Sequence, residues 1–412
     1  MSYIKIFSNN LGKNYFGLYI LILSFFSLFF LYFKHDVSND SSISEMLINY
    51  SGGFTRRGLP GHLFILVSEI LNVNLRIVIF FFQSLMQITY FYLTYIFVKG
   101  LKIDRLLIII FFSPIFLSYP IYEIESLGRK DVIVFAYYTL LLILFEKFKN
   151  SNVINYYVFF VLPILCLIWE PIILFFPYIY FILFLKNKPT SLSEFYKIFL
   201  FFSSSFVVLI LIYLFPLSPS QHYYMCEILR INFGEKCYMS AALLLDQGIY
   251  FSTFDFVHKN ANFYNYFRFF LIFLLGFYPL YYYAYNIKIS NKFYFIKFFS
   301  RNLFVIFLFF NLPVLLLFIF AYDWGRWVVF IYTFSTLTLF FLINNDELRL
   351  INKNKINKLY IFKVNKFYYV LIFIFISFFW NIKTVITDNV GSLPVYRVIL
   401  KFIKFLNFKY LY

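Results

Sequence analysis

The chain has 412 residues, of which 62% are hydrophobic and 26% aromatic while only 13% are charged. Soluble domains run near 45–50% apolar and about 25% charged, so both departures exclude a soluble enzyme or adaptor and define an all-α polytopic membrane protein. A formal net charge of +17 would point to nucleic acid in a soluble chain, but the lysines here fall mainly in short loops between apolar runs. Lysine in that position orients membrane spans, which leaves nucleic acid no role as a partner.

Apolar runs able to cross a ~30 Å hydrocarbon core, at about 20 residues each, predict about eleven spans. They lie near 15–33, 75–98, 106–122, 132–148, 155–169, 171–185, 198–215, 264–285, 303–322, 327–343 and 367–380. Lys5 and Lys13 precede the first run, and no small-residue cleavage site follows it. The first run is therefore expected to stay as an uncleaved span with a cytoplasmic N-terminus. Residues 1–412 read as one integral membrane domain, with the basic loops at 99–105, 147–150, 186–197, 287–301 and 344–366 on the inside. The first outer loop, 34–74, includes a short apolar segment at 62–71 that reads as an interfacial or re-entrant helix. The largest outer loop covers 216–263. In the tail, 387–412, apolar residues alternate with Arg397, Lys401, Lys404 and Lys409, the pattern of an amphipathic helix on a membrane face.

Lysine follows the positive-inside rule in this topology and arginine does not. Arg56, Arg57, Arg76, Arg129, Arg230, Arg268, Arg326 and Arg397 fall on the outer side, as do His35, His62, His222 and His258. A planar guanidinium suits bidentate recognition of phosphate or carboxylate, so the outer face reads as a site for an anionic group.

Four stretches carry candidate chemistry. The first is NYSGGFTRRGLPG at 49–61, where Gly52, Gly53 and Gly58 bracket Arg56 and Arg57 and would let the backbone approach a ligand closely. In IYEIESLGRKD at 121–131, Glu123, Glu125, Arg129, Lys130 and Asp131 crowd around Gly128, offering acids and bases together. In WEP, Glu170 lies between two hydrophobic runs with no local cation. Such a carboxylate must face a cavity, find a partner or take a proton, and the last would suit a general acid or base. The fourth stretch is AYDWGRW at 321–327, where Asp323 and Arg326 stand three apart between two indoles. An interfacial belt accounts for Trp324 and Trp327, and a local ion pair is the plain account of the two charges.

Asp36, Asp40 and Glu45 read either as a solvated polar loop or as oxygen ligands for a divalent cation. Cys226 and Cys237 in the large outer loop read as a disulfide contributing on the order of 3 kcal/mol, or as two free thiols. Cys166 lies inside a span. No Cys or His spacing matches a zinc site and no glycine-rich nucleotide loop occurs, so neither a metal nor a nucleotide cofactor is expected.

Through SGGFTRRGL, SLGRKD, the WEP glutamate and DWGRW, set in about eleven spans with one larger outer loop, the chain resembles the O-antigen and capsular repeat-unit polymerases of the Wzy type. The resemblance implies a fold related to the C-type (GT-C) membrane glycosyltransferases and a reaction at the periplasmic face of the bacterial inner membrane. It implies an undecaprenyl-diphosphate-linked glycan as substrate, membrane lipid around it and a chain-length regulator protein as a partner. In that reading Arg56, Arg57, Arg129, Lys130 and Arg326 hold the diphosphate, and Glu170, Asp323 or Glu125 orients or deprotonates the acceptor hydroxyl. Two alternatives stay open. One is a C-type glycosyltransferase using a polyprenyl-phosphate sugar, with Asp36, Asp40 or Glu45 as its acid; the other is a lipid-linked oligosaccharide flippase.

Overall fold

Uncharged runs of Phe, Leu, Ile and Tyr cannot leave backbone amides unpaired in hydrocarbon, and the helix satisfies them within the segment. The computed structural model describes residues 10–37, 40–101, 105–149, 151–237, 257–289, 302–345, 348–350, 366–378, 380–386, 391–392 and 403, and these are mainly helical. Among them, seven segments are long and apolar enough to cross a bilayer: Phe16–Lys34, Leu75–Val98, Glu170–Asn187, Leu192–Leu214, Phe263–Tyr285, Leu303–Phe320 and Trp324–Asn344. The chain is a helical membrane protein.

The other four expected spans form shorter helices. The run at 106–122 divides into Arg105–Phe111 and Tyr119–Tyr122, because Pro114 lacks the amide a continuing helix needs. The run at 132–148 forms Asp131–Lys147, that at 155–169 forms Val153–Ile168 around an internal Pro163, and that at 367–380 forms Lys366–Phe378.

The described residues group into two compact units. The first comprises Met1–Phe25, Thr94–Ile124 and Val257–Tyr412; the second comprises Phe26–Leu93 and Glu125–Phe256. Within the first unit, Trp324–Asn344 is apolar on every face and almost wholly buried, which is how a helix without a polar stripe is accommodated. Its Tyr332 hydroxyl donates to the Ile110 carbonyl at 2.9 Å. Two short antiparallel pairs, Ile287–Ile289 with Leu348–Leu350 and Trp380–Asn381 with Gly391–Ser392, also belong to this unit.

In the second unit the segment 34–74 is built around helices. Asp40 accepts from the Ser42 and Ile43 amides and so starts Ser41–Met46. Leu59–Leu71 follows, with Pro60 in its first turn and Asn72 ending it in the left-handed region at φ 51°. The expected short helix at 62–71 lies inside it. Ile43, Met46, Leu47, Phe64, Ile65, Leu75, Ile79 and Leu229 pack into one apolar cluster that ties these helices to Leu75–Val98 and Pro219–Phe233. Pro219–Phe233 opens on a capping box between Ser218 and Gln221 and closes on Gly234. Most of the C-terminal tail, with Arg397, lies outside the described residues, as do 238–256 of the large loop and 290–301 and 351–365 of the basic loops.

Candidate anion site

The loop after Ser41–Met46 is fixed by its own polar groups. The Asn49 side chain donates to the Leu47 carbonyl and accepts from the Ser51 amide. The close approach that the glycines permit is to the protein itself: a Cβ on Gly52 would stand 2.0 Å from the Gln221 carbonyl oxygen. The first turn of Pro219–Phe233 therefore fixes the loop, and the expectation that this glycine admits a ligand is corrected.

Arg57 takes a left-handed backbone conformation at φ 63°, which costs a non-glycine residue on the order of 1 kcal/mol. Successive side chains on an extended chain point to opposite faces, yet here two neighbours reach one group. Arg57 clamps Glu170 with Nε 2.8 Å from Oε2 and Nη2 2.7 Å from Oε1, and Arg56 Nη1 lies 3.5 Å from Oε1. The glutamate that has no cation in its own segment thus finds two, 113 and 114 residues away. Of the three outcomes open to the WEP carboxylate, a cavity, a partner or a proton, it takes the partner, and its geometry is that of a group that orients arginines. The three side chains remain 18%, 25% and 14% exposed for Arg56, Arg57 and Glu170, so the cluster is only part-buried by the protein.

Lys130 lies beneath this cluster. Its ammonium donates to the Arg57 carbonyl at 2.8 Å and the side chain is fully buried. Burial pushes Lys130 down to about 7, further than Glu45 can restore, and the Arg57 charge adds to the fall. The next residue back, Arg129, donates to the Glu125 carbonyl at 2.9 Å, to Glu45 Oε1 at 3.2 Å and to Ser41 Oγ at 3.0 Å. The turn before it needs Gly128, at φ 79°, whose carbonyl accepts from Gln83 at 2.8 Å. Lys34 donates to the Leu127 carbonyl at 2.7 Å and pairs with Asp40 at 3.4 Å. These bonds fix the SLGRKD loop against Ser41–Met46 and the helix Leu75–Val98. Glu125 stands exposed at its start, with no ion pair among the described residues.

The second unit therefore brings together Arg56, Arg57, Lys130 and Glu170, with Arg129 braced on Glu45 behind them. Asp323 and Arg326 belong to the first unit. There they form the ion pair expected across the DWGRW turn, at 2.5 Å, and Arg326 lies over the Trp327 ring. The turn is tied by the Gly325 amide to the Thr384 carbonyl at 3.0 Å, and nearby Lys383 pairs with Glu123 at 3.0 Å.

Asp40 and Glu45 serve different partners, a helix start with Lys34 and Arg129, so they do not act as a shared set of cation ligands. Sequence reading missed the pairing of Arg129 with Glu45 and the bidentate clamp of Arg76 on Glu235, whose members are 84 and 159 residues apart. No local pattern announces such pairs. Cys226 and Cys237 are joined as a disulfide, and His222, one helical turn before Cys226, brings its Nε2 within 3.5 Å of that sulfur. The three ligand atoms lie within 4.8 Å of one another, but sulfurs joined to each other offer no thiolate to a metal. This grouping was also missed, although a His and a Cys four apart on one helix was the signal for part of it.

No family model, curated protein or solved structure matches the chain.

Proposed function

We propose that the Arg56–Arg57–Glu170 cluster binds the diphosphate of a polyprenyl-linked glycan, and that the chain is a repeat-unit polymerase of the O-antigen or capsule type. The observation that supports this most is the paired arginines on one carboxylate, part-exposed and braced from beneath by Lys130. A guanidinium held by a carboxylate is pre-oriented, and forked donors fixed before binding match a diphosphate with little loss of side-chain freedom. In this reading the protein lies in a bacterial inner membrane with eleven crossings, the third broken at 112–118, and a GT-C-like arrangement. The acceptor hydroxyl oxygen attacks the anomeric carbon of the lipid-linked glycan, and the bond from that carbon to the diphosphate breaks. The electron pair leaves on undecaprenyl diphosphate, whose growing charge Arg56 and Arg57 offset. The hydroxyl proton passes to Glu125, the exposed carboxylate on the loop that also carries Arg129 and Lys130. Glu170 orients the arginines, and Arg129 positions the loop.

Deleting the gene and analysing the surface glycan tests the assignment. Lipid capped with a single repeat unit is the expected outcome. A truncated unit would instead identify a glycosyltransferase, and complete units trapped on the cytoplasmic face would identify a flippase.

A further inference from the structure

Lys130 does something other than touch substrate. Its ammonium is fully buried and committed to a backbone carbonyl, that of Arg57, the non-glycine residue in this loop whose backbone is left-handed. It also stands at the start of the helix Asp131–Lys147, where the helix dipole opposes a positive charge. Building on the diphosphate reading, we infer that Lys130 is a positioning residue that holds Arg57 in its left-handed conformation, and that occupancy of the anion site is coupled to one proton on its amine.

The coupling follows from what faces the amine. Glu45 from Ser41–Met46, Arg57 from the glycine-rich loop and Glu170 from the WEP turn act on it, with Arg129 and Asp131 beside it in sequence. In the empty site the amine is pushed down to about 7 from an ordinary 10.5. An anion arriving on Arg56 and Arg57 adds negative charge above it and favours the ammonium. The site then takes up a proton on binding above neutral pH, and affinity falls as pH rises. The same shift acts on folding with the opposite slope. Between about 7 and 10.5 the unfolded chain holds a proton that the native amine has lost, so stability rises with pH across that window.

The test uses the full chain in lipid nanodiscs and a short-chain polyprenyl diphosphate sugar as probe. As a diphosphate diester the probe has no group of its own titrating near neutrality. Calorimetry in buffers of different ionisation enthalpy counts the protons taken up. Wild-type protein is expected to take up close to one proton at about pH 8 and to bind about tenfold more weakly at pH 8.5 than at pH 6.5. Lys130→Met is expected to bind several-fold more weakly at the lower pH, with the pH dependence gone. A Lys130→Met variant with wild-type affinity and slope overturns the inference, and so does wild-type binding with no proton taken up, a result that needs no variant to fold. The parent reading fails separately: if Arg57→Ala binds the probe as wild type does, the diphosphate site itself is wrong and the role of Lys130 falls with it.

Discussion

Arg57 combines an unfavourable backbone with a bidentate ion pair, and the second is what makes the first tolerable. A charge-assisted fork on a part-buried carboxylate outweighs a left-handed residue costing on the order of 1 kcal/mol. Removing Glu170 should therefore expose the strain. Glu170→Ala leaves two neighbouring guanidiniums without their shared partner, and is expected to cost about 2 kcal/mol, between the values for exposed and fully buried pairs. Glu170→Gln, which keeps an acceptor oxygen, is expected to lose less. Thermal unfolding in detergent, followed by fluorescence-detected chromatography, ranks the two, and equal midpoints for both variants and wild type would remove Glu170 from the structural account. The arginines themselves were legible as a pair suited to an anion because two adjacent arginines between glycines stand out in a loop between apolar runs. The partner was not, since an ion pair closing over 113 residues leaves no trace in local spacing.

Helices carried more of the sequence reading than loops did. The run at 264–285 reappears as the single helix Phe263–Tyr285, because a continuous apolar stretch of that length has few other ways to pair its backbone, while that at 303–322 forms Leu303–Asn311 and Leu315–Phe320 on either side of Pro313. The run at 106–122 did not survive as one helix, since hydropathy alone does not separate a buried turn from a helical one, and Ser113–Pro114 decides the matter locally. The glycine-rich loop is a third kind of case: its glycines were visible, but whether they made room for a ligand or for protein was not. Gly52→Ala puts a Cβ against the Gln221 carbonyl and must displace the start of Pro219–Phe233, so a loss of about 1–3 kcal/mol is expected. Gly100→Ala, with nothing within 4 Å of the added carbon, is the matched control and is expected to be neutral. Comparable expression and unfolding midpoints for the two variants would show that the packing argument is mistaken.

Taken whole, the chain places its polar chemistry in two compact units, one built on the arginine pair with SLGRKD and the WEP glutamate, the other on DWGRW with Glu123 and Lys383. Composition made the membrane class legible, because 13% charged residues cannot coat a soluble surface. The division into units was not legible, since each is assembled from separate stretches of the chain. The central claim is that Arg56 and Arg57 engage a diphosphate during chain extension. Complementing the deletion strain with Arg57→Ala and reading the glycan by electrophoresis tests it most directly. The expected result is protein at wild-type level in the membrane, lipid capped with single units and no ladder of longer chains. A normal ladder from Arg57→Ala would contradict it.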